Sequence, residues 1–286
     1  MRDAPEALLL VAGQGDYPLL AAEGARAAGV RRLAVLALRG QTSRRLARLA
    51  DEVRWFGVGQ VEAGLAWAQA TGVRQAMLVG QVTPRALFHG RFDALARSLL
   101  RRLTVKNAHA IFGQVAALLA ERGIAVLPAS CYMERFLPEF GVLSSRPPDA
   151  REQADIAHGH RVALALGEFD VGQTVVVREG MVLAVESFEG TNRAIARGGR
   201  LGGRGAVVVK AARGGHDMRF DIPVVGRTTM AFLRRFGASA LAFQARRTIL
   251  LDREAVLAAA DRHGLSVVAL DSGLPPAPTR PPEAAA

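Results

Sequence analysis

The stretch that decides the fold is Ala7–Ala28, ALLLVAGQGDYPLLAAEGARAA. Ala7–Ala12 is a continuous apolar run of the length and composition of a strand buried on both faces. Gly13, Gln14 and Gly15 follow, then Asp16-Tyr17-Pro18, and from Leu19 to Ala28 apolar residues recur at helical spacing. Strand, glycine turn and helix make a unit in which glycines let the backbone approach a ligand and the first helical amides attract an anion. Gly13, Gly15 and Tyr17 are therefore candidate ligand-binding residues. A dinucleotide fingerprint asks for a third glycine three places after the second. That place holds Pro18, and the next strand, Arg32–Leu38, ends without an acid for a ribose. Both features speak against an NAD(P)-dependent oxidoreductase.

Outward from this unit the pattern alternates. A basic helix is expected over Thr42–Ala50, a strand over Val53–Phe56, a helix over Val61–Ala70 and a buried strand over Gln75–Val79. The last ends in Gly80-Gln81-Val82-Thr83, a second turn at a strand's carboxyl end, which makes Gly80, Gln81 and Thr83 ligand candidates. Residues 92–122 read as helical. His109 within them has no partner at ligand spacing and reads as a surface or packed histidine. Ile124–Leu127 is a last strand. Strands alternating with helices predict an α/β fold whose N-terminal domain, residues 1–142, carries a Rossmann-like parallel sheet. Residues 143–151, ending in SSRPPDAR, read as a linker. Residues 152–273 then form a C-terminal catalytic α/β domain with a mixed sheet, and the Pro/Ala-rich tail 274–286 is expected to be disordered.

Within the second domain two stretches carry chemistry: Met181–Asn192, MVLAVESFEGTN, and Lys210–Thr229, KAARGGHDMRFDIPVVGRTT. Pro223 biases the residue before it toward extended backbone. On an extended Arg219–Pro223 segment, Arg219 and Asp221 share a face at a strand end. Glu186 and Glu189 close an apolar strand just before Gly190-Thr191. Acids converging at strand ends are what a Mg²⁺-dependent phosphate chemistry needs; the bland alternative is a strand capped by surface charges. Lys210 and Arg219 would hold phosphate oxygens, and Arg219 would equally serve as an ion-pair partner of Asp221.

These two stretches, together with VAGQGDYPLLAAEGARAAG (Val11–Gly29) near the start, closely resemble the LpxI-type UDP-2,3-diacylglucosamine pyrophosphatase family of lipid A biosynthesis. The likeness runs from about Leu8 to about Asp271 in unbroken order. It implies hydrolysis of UDP-2,3-diacylglucosamine to UMP and 2,3-diacylglucosamine 1-phosphate, assisted by Mg²⁺. Asp221 is then the principal catalytic carboxylate, as metal ligand or water activator, with Glu186, Glu189 and Asp217 as further metal candidates. Gly190, Thr191 and Thr228 join the substrate-binding residues. The resemblance also implies a cytoplasmic enzyme in transient contact with the inner-membrane surface, and it allows a homodimer. Three departures stand out. Arg213-Gly214-Gly215-His216 replaces a Lys-Pro-Asn-Gln-like run, Asn192 replaces an aspartate, and Gly80-Gln81-Val82-Thr83 replaces a Gly-Asn-Val-Ser-like corner. The first two bear on the metal shell and leave a non-catalytic nucleotide or lipid carrier as the rival reading.

Composition sets outer bounds. With 286 residues the chain is long enough for two cores, and a single cysteine, Cys131, rules out an intramolecular disulfide framework. No apolar run approaches a membrane span, and the start of the chain reads as a strand rather than a signal peptide. The net charge of +11 comes almost wholly from arginine, because Lys106 and Lys210 are the two lysines. Scattered arginines with 6% aromatic residues offer no stacking platform, so nucleic acid is not an expected partner.

Overall fold

The computed structural model describes residues 4–82, 91–103, 108–212, 217–219, 222–271, 273, 275 and 277–279, with Ala108 and His109 as backbone only. Thr83, Arg213–His216, Phe220 and Asp221 lie outside the described residues. The chain forms two compact units. One comprises Met1–Glu134, Asp217–Asp221 and Pro278–Ala286; the other comprises Arg135–His216 and Ile222–Ala277.

In the first unit β1 (Ala7–Ala12), β2 (Arg32–Leu38), β3 (Glu52–Phe56), β4 (Gln75–Val79) and β5 (Ala125–Val126) form a parallel sheet in the order β3-β2-β1-β4-β5. Helices α1 (Tyr17–Ala27), α2 (Val61–Ala70), α3 (Ala94–Arg102) and α4 (Ala108–Glu121) connect the strands. One core packs Leu9, Leu36, Phe56, Leu65, Trp67 and Leu119 between sheet and helices. Strand order reverses between β1 and β4, the place where doubly wound sheets bind ligands. The expected helix over Thr42–Ala50 shrinks to a 3-10 turn, Arg44–Arg48, capped by the Ser43 hydroxyl. The expected continuous helix over 92–122 is instead two, because Leu103 turns extended at the end of α3.

The second unit carries β6 (Gly141–Val142), α5 (Ala150–Glu168), β7 (Thr174–Arg178), β8 (Met181–Val185), α6 (Thr191–Gly202) and β9 (Ala206–Lys210). These are followed by β10 (Val224–Val225), α7 (Arg227–Arg235), β11 (Ala238–Gln244), β12 (Ile249–Leu250), α8 (Arg253–Arg262) and β13 (Ser266–Leu270). The main sheet runs β6-β13-β11-β9-β7-β8, with β13, β11 and β9 parallel and β6 and β7 antiparallel to their neighbours. A parallel sheet in the first unit and a mixed one in the second are the architecture read from the sequence.

Residues 143–151 are not a free linker. The Leu143 amide bonds to the Val267 carbonyl, and the Ser144 hydroxyl accepts from the Val267 amide. Arg146 grips both oxygens of Glu152 at 2.9 and 2.8 Å and the carbonyls of Gly264 and Ser239, each at 2.7 Å. Pro147 and Pro148 interrupt regular structure, as expected, but side chains satisfy the backbone and moor the segment to the second unit. The unit therefore begins at Arg135 rather than Glu152. In the C-terminal stretch Ala277 is buried, its amide bonded to the Arg246 carbonyl, so this part is ordered rather than a disordered tail.

Two local features place the chemistry of this unit. Glu179 and Gly180 both adopt positive φ in the β7–β8 hairpin, and the Asp155 carboxylate accepts from both their amides at 2.9 and 2.7 Å. Helix α6 runs through three glycines of a glycine-rich stretch, Gly198, Gly199 and Gly202. At Gly198 and Gly202 a Cβ would meet Val176 and Leu183 of the sheet, and at Gly199 it would meet Phe236 at the end of α7, all within 2.6 Å, so glycine there lets the helix lie close against both.

Candidate functional site

Register explains why three distant polar residues meet. Strand β9 is buried along its whole length and ends in Lys210, which pairs across the ladder with Thr174 at the start of β7. Strand β8 ends one residue before Glu186, whose amide bonds to the Thr174 carbonyl at 2.7 Å. Lys210, Thr174 and Glu186 thus share one edge of the sheet, and the first turn of α6 brings Thr191 to them.

The geometry is a closed hydrogen-bond relay around one hydroxyl. Lys210 Nζ donates to Thr191 Oγ1 at 2.8 Å, and Thr174 Oγ1 reaches the same oxygen at 3.4 Å. Thr191 donates its single proton to Glu186 Oε1 at 3.0 Å. A threonine hydroxyl has one donor and two acceptor positions, so all of Thr191's capacity is used. Lys210 is 6% exposed and its ammonium lies 3.9 Å from Glu186 Oε2. Burying that cation is tolerable because the carboxylate faces it.

Two polar atoms here have no hydrogen-bond partner although buried: Glu186 Oε2 and Asn192 Oδ1. Helix α6 is preceded by Gly190 at its N-cap, whose φ of 84° suits glycine, with no side-chain cap and no acid in the first turn. Its positive end and Lys210 together favour phosphate oxygens.

The remaining sequence candidates fall elsewhere. Glu189 is tied to Ser187 and Arg197 on the surface, and the hydroxyl and guanidinium hold its carboxyl below the usual range. Asp217 and Arg219 belong to the first unit, where Met218 and Arg219 form a turn rather than an extended strand. Arg219 donates from its amide and its guanidinium to Asp217, at 2.6 Å in the closest contact. The expected Arg219–Asp221 pairing involves a residue outside those described; the described partner of Arg219 is Asp217. Thr228 is exposed on the first turn of α7.

In the first unit, Gly13 and Gly80 are explained by packing between the two turns. The Gly13 amide bonds to the Val79 carbonyl, and Gln14 and Gln81 exchange backbone hydrogen bonds at 2.7 and 3.3 Å. A Cβ on Gly13 would sit 2.4 Å from the Gln81 oxygen, and one on Gly80 2.7 Å from the Gln14 oxygen. Gly15, with φ of 95°, has open space around it. Tyr17 is a core residue rather than a free ligand group: it is buried, burial pushes its phenol up, and its hydroxyl donates to the Ala129 carbonyl.

Among the described residues, no group of three or more His, Cys, Asp or Glu could hold a metal ion. Glu186 faces Lys210, Glu189 faces Arg197 and Asp217 faces Arg219. These residues build no resident metal cage. A Mg²⁺ shared with substrate phosphates needs only one or two carboxylates, and Glu186 Oε2 is the unpartnered oxygen available. Among the described residues no helix is long and apolar enough to cross a membrane.

Thr174 was missed by sequence reading. Its place opposite Lys210 depends on the register of two strands more than thirty residues apart, which no local signal carries.

Comparison with known proteins gives a consistent picture. The family described as LpxI N-terminal domain matches residues 7–136, and that described as LpxI C-terminal domain matches residues 139–268. A protein of Caulobacter vibrioides named UDP-2,3-diacylglucosamine pyrophosphatase LpxI is 32% identical over 275 residues, 92% of this chain and 96% of its own. Among solved structures, the biotin carboxylase domain of a thermophilic 2-oxoglutarate carboxylase is 14% identical, with a TM-score of 0.27 over 60% of this chain and 34% of that one. A biotin carboxylase of Campylobacter jejuni is 12% identical, with a TM-score of 0.29 over 69% and 42%. The chain spans less than half of those two proteins, and likeness at that level carries no argument.

Proposed function

Since the chain belongs to the LpxI family, we propose that it hydrolyses the pyrophosphate bond of UDP-2,3-diacylglucosamine, releasing UMP and 2,3-diacylglucosamine 1-phosphate in lipid A biosynthesis. The observation that supports this reading beyond the family is the buried Lys210–Thr191–Glu186 relay at the amino end of α6. A pyrophosphate ester offers nothing for the protein to oxidise or acylate. What it demands is placement of a water in line with phosphorus and neutralisation of charge on the phosphoryl oxygens.

In this reading Lys210 and the first amides of α6 hold a phosphoryl oxygen. Thr191 keeps the ammonium aimed by accepting from it, and Glu186 fixes the direction of the Thr191 hydroxyl. Asp221, from the family motif, is the proposed water-activating or metal-binding carboxylate, with Arg219 as a second phosphate contact. Mg²⁺, when bound with the substrate, would supply charge neutralisation on the phosphate oxygens. The enzyme would act in the cytoplasm at the inner-membrane surface, where its substrate's acyl chains lie, and a net charge of +11 favours an anionic lipid face.

The test is UMP release from UDP-2,3-diacylglucosamine with Mg²⁺ and then with excess EDTA. Metal-dependent release is expected. Release that persists in EDTA would remove the metal from the proposal and leave the substrate. Substrate binding without release would favour the carrier reading, to which Asn192 and its unpaired Oδ1 would then belong.

A further inference from the structure

The first unit carries a basic cleft that the reaction described above does not use. It lies beside the edge strand β3, is lined by Arg39, Gly40, Thr42, Arg44, Ala47 and Trp55, and has a volume of about 680 Å³. We propose that this cleft seats the phosphate of an anionic glycerophospholipid headgroup and so docks the protein on a bilayer. The proposal deepens the lipid-substrate reading just given and rests on that reading for its purpose.

Positive charge here is left over after local pairing. Residues 39–50 contain four arginines, Arg39, Arg44, Arg45 and Arg48, and no acid. The next two residues, Asp51 and Glu52, are acids already engaged by Arg26 and Arg32. Among the described residues, the exposed guanidinium groups of Arg44, Arg45 and Arg48 have no hydrogen-bond or ion-pair partner. Arg39 donates to Gln60 Oε1 at 3.0 Å, a single contact that aims the group and leaves donors open. The segment that carries these cations is fixed in place. Leu46 anchors it in the interior at 1% exposure, so its polar neighbours point outward. Thr42 Oγ1 accepts from the Leu38 amide at 2.8 Å and donates to the Ala12 carbonyl, which ties the segment to β1 and β2. A ligand therefore orders little of the backbone when it binds.

Trp55 supplies the opposite wall and narrows the ligand. Successive side chains of β3 face opposite sides of the sheet, so Phe56 joins the core while Trp55 faces the cleft, half-buried. An indole beside arginines suits headgroup depth, where one end of the ring is apolar and the other wet. Two guanidinium forks match phosphate oxygens, and the walls of a cleft strengthen that attraction over a flat surface. A volume of about 680 Å³ is more than a bare phosphate fills and leaves room for the glycerol that follows it.

The experiment measures binding to phosphatidylglycerol and to phosphatidylcholine vesicles by flotation, and quenching of tryptophan by phosphatidylglycerol brominated in its acyl chains. Wild type is compared with Arg39→Gln/Arg44→Gln, with Trp55→Phe, and with Arg253→Gln/Arg262→Gln, which removes equal charge from exposed positions on α8. All are checked for folding by thermal midpoint. Wild type should bind phosphatidylglycerol in preference to phosphatidylcholine, and brominated lipid should quench it but not Trp55→Phe. The cleft pair should weaken binding about 25-fold, roughly fivefold per arginine, and the α8 pair less than about threefold. UMP release from detergent-dispersed substrate should stay within about twofold in the cleft pair, and release from substrate in phosphatidylglycerol vesicles should fall. Equal losses in the two pairs would reveal diffuse charge attraction and overturn the proposal, as would wild type that fails to bind or is not quenched. Trp55 fluorescence that responds to inorganic phosphate or UMP, and not to vesicles, would assign the cleft to a free phosphate and overturn it too. Cleft-dependent vesicle binding, with no UMP released by wild type, would uphold the docking site while refuting the reading of function.

Discussion

Replacing Lys210 by Met preserves the length of a buried side chain and deletes its charge. The ammonium and Glu186 Oε2 are 3.9 Å apart, with side-chain exposures of 8% and 14%. At an effective dielectric of about 20 that separation corresponds to roughly 4 kcal/mol of attraction. Desolvation of both groups offsets much of it, so the expected coupling in a Lys210→Met, Glu186→Gln cycle is about 2 kcal/mol. The single Lys210→Met variant, which strands the carboxylate, should lose about 3 kcal/mol. Both tryptophans, Trp55 and Trp67, lie in the first unit, so their fluorescence would miss the change. Native-state hydrogen exchange at Val207–Lys210 reads the correct unit. In the UMP-release assay the variant should lose about 10²–10³ in kcat, the scale of one preorganised donor to a developing oxyanion. A kcat/KM within threefold of wild type would remove Lys210 from the phosphate site. Coupling below about 0.5 kcal/mol would show the pair to be incidental.

Other substitutions and conditions test separate parts of the structure. Gly13→Ala puts a Cβ 2.4 Å from the Gln81 oxygen, so the first unit should lose about 2 kcal/mol by tryptophan-monitored urea unfolding; a loss below 0.5 kcal/mol would mean the turns yield freely. For Glu152, burial pushes the carboxyl up, but hydrogen bonds from Arg146, Ser239 and the Asp149 backbone outweigh it and leave the value low. Its stabilisation is complete above the ordinary value of 4.5 and is lost as pH falls through the lowered one. Glu152→Gln should therefore flatten the acid limb of thermal stability below about pH 4.5; an unchanged limb refutes this. Burial depresses His160 below its ordinary 6.5, so stability should also decline from that pH downward, and His160→Phe should abolish that part of the slope. Asp221→Ala should abolish turnover while leaving the melting temperature and substrate binding within error, and retained turnover would exclude it from the mechanism.

The fold was legible wherever a signal was local. Ala7–Ala12, Arg32–Leu38, Gln75–Val79 and Ser266–Leu270 are strands whose bounds coincide with their apolar runs. Reading faltered where packing overrode propensity. The glycines of α6 are poor helix formers, yet the helix runs through them, and Val176, Leu183 and Phe236 occupy the space that a side chain there would need. The segment 143–151 looks like a hinge, yet Arg146 finds Glu152 and the Gly264 and Ser239 carbonyls, the latter two about a hundred residues away. At the site, Lys210, Glu186 and Thr191 were identifiable by residue type, and the structure brings these three together. The two-residue alternation for Arg219–Pro223 assumed extended backbone, whereas the chain turns at Met218 and Arg219, where Arg219 bonds to Asp217.

The composition carries one further argument about Lys210. All but two of the chain's 37 cationic residues are arginine, so at most positions either cation evidently serves. Lysine remains where the cation is 6% exposed and makes one 2.8 Å contact to a hydroxyl. A guanidinium is a planar fork with five donors, each needing an acceptor once buried, whereas an ammonium is a compact point charge on a flexible stem. The described acceptors around Nζ are Thr191 Oγ1 and, at ion-pair distance, Glu186 Oε2. One hydrogen-bond acceptor and one more distant carboxylate oxygen leave a buried guanidinium short of partners, whereas the ammonium keeps a donor for a further oxygen. That donor is what a phosphoryl oxygen would take, so Lys210→Arg is not a conservative change here and should lower kcat by at least tenfold even though the charge is kept. Activity at the wild-type level in that variant would mean the position requires only positive charge.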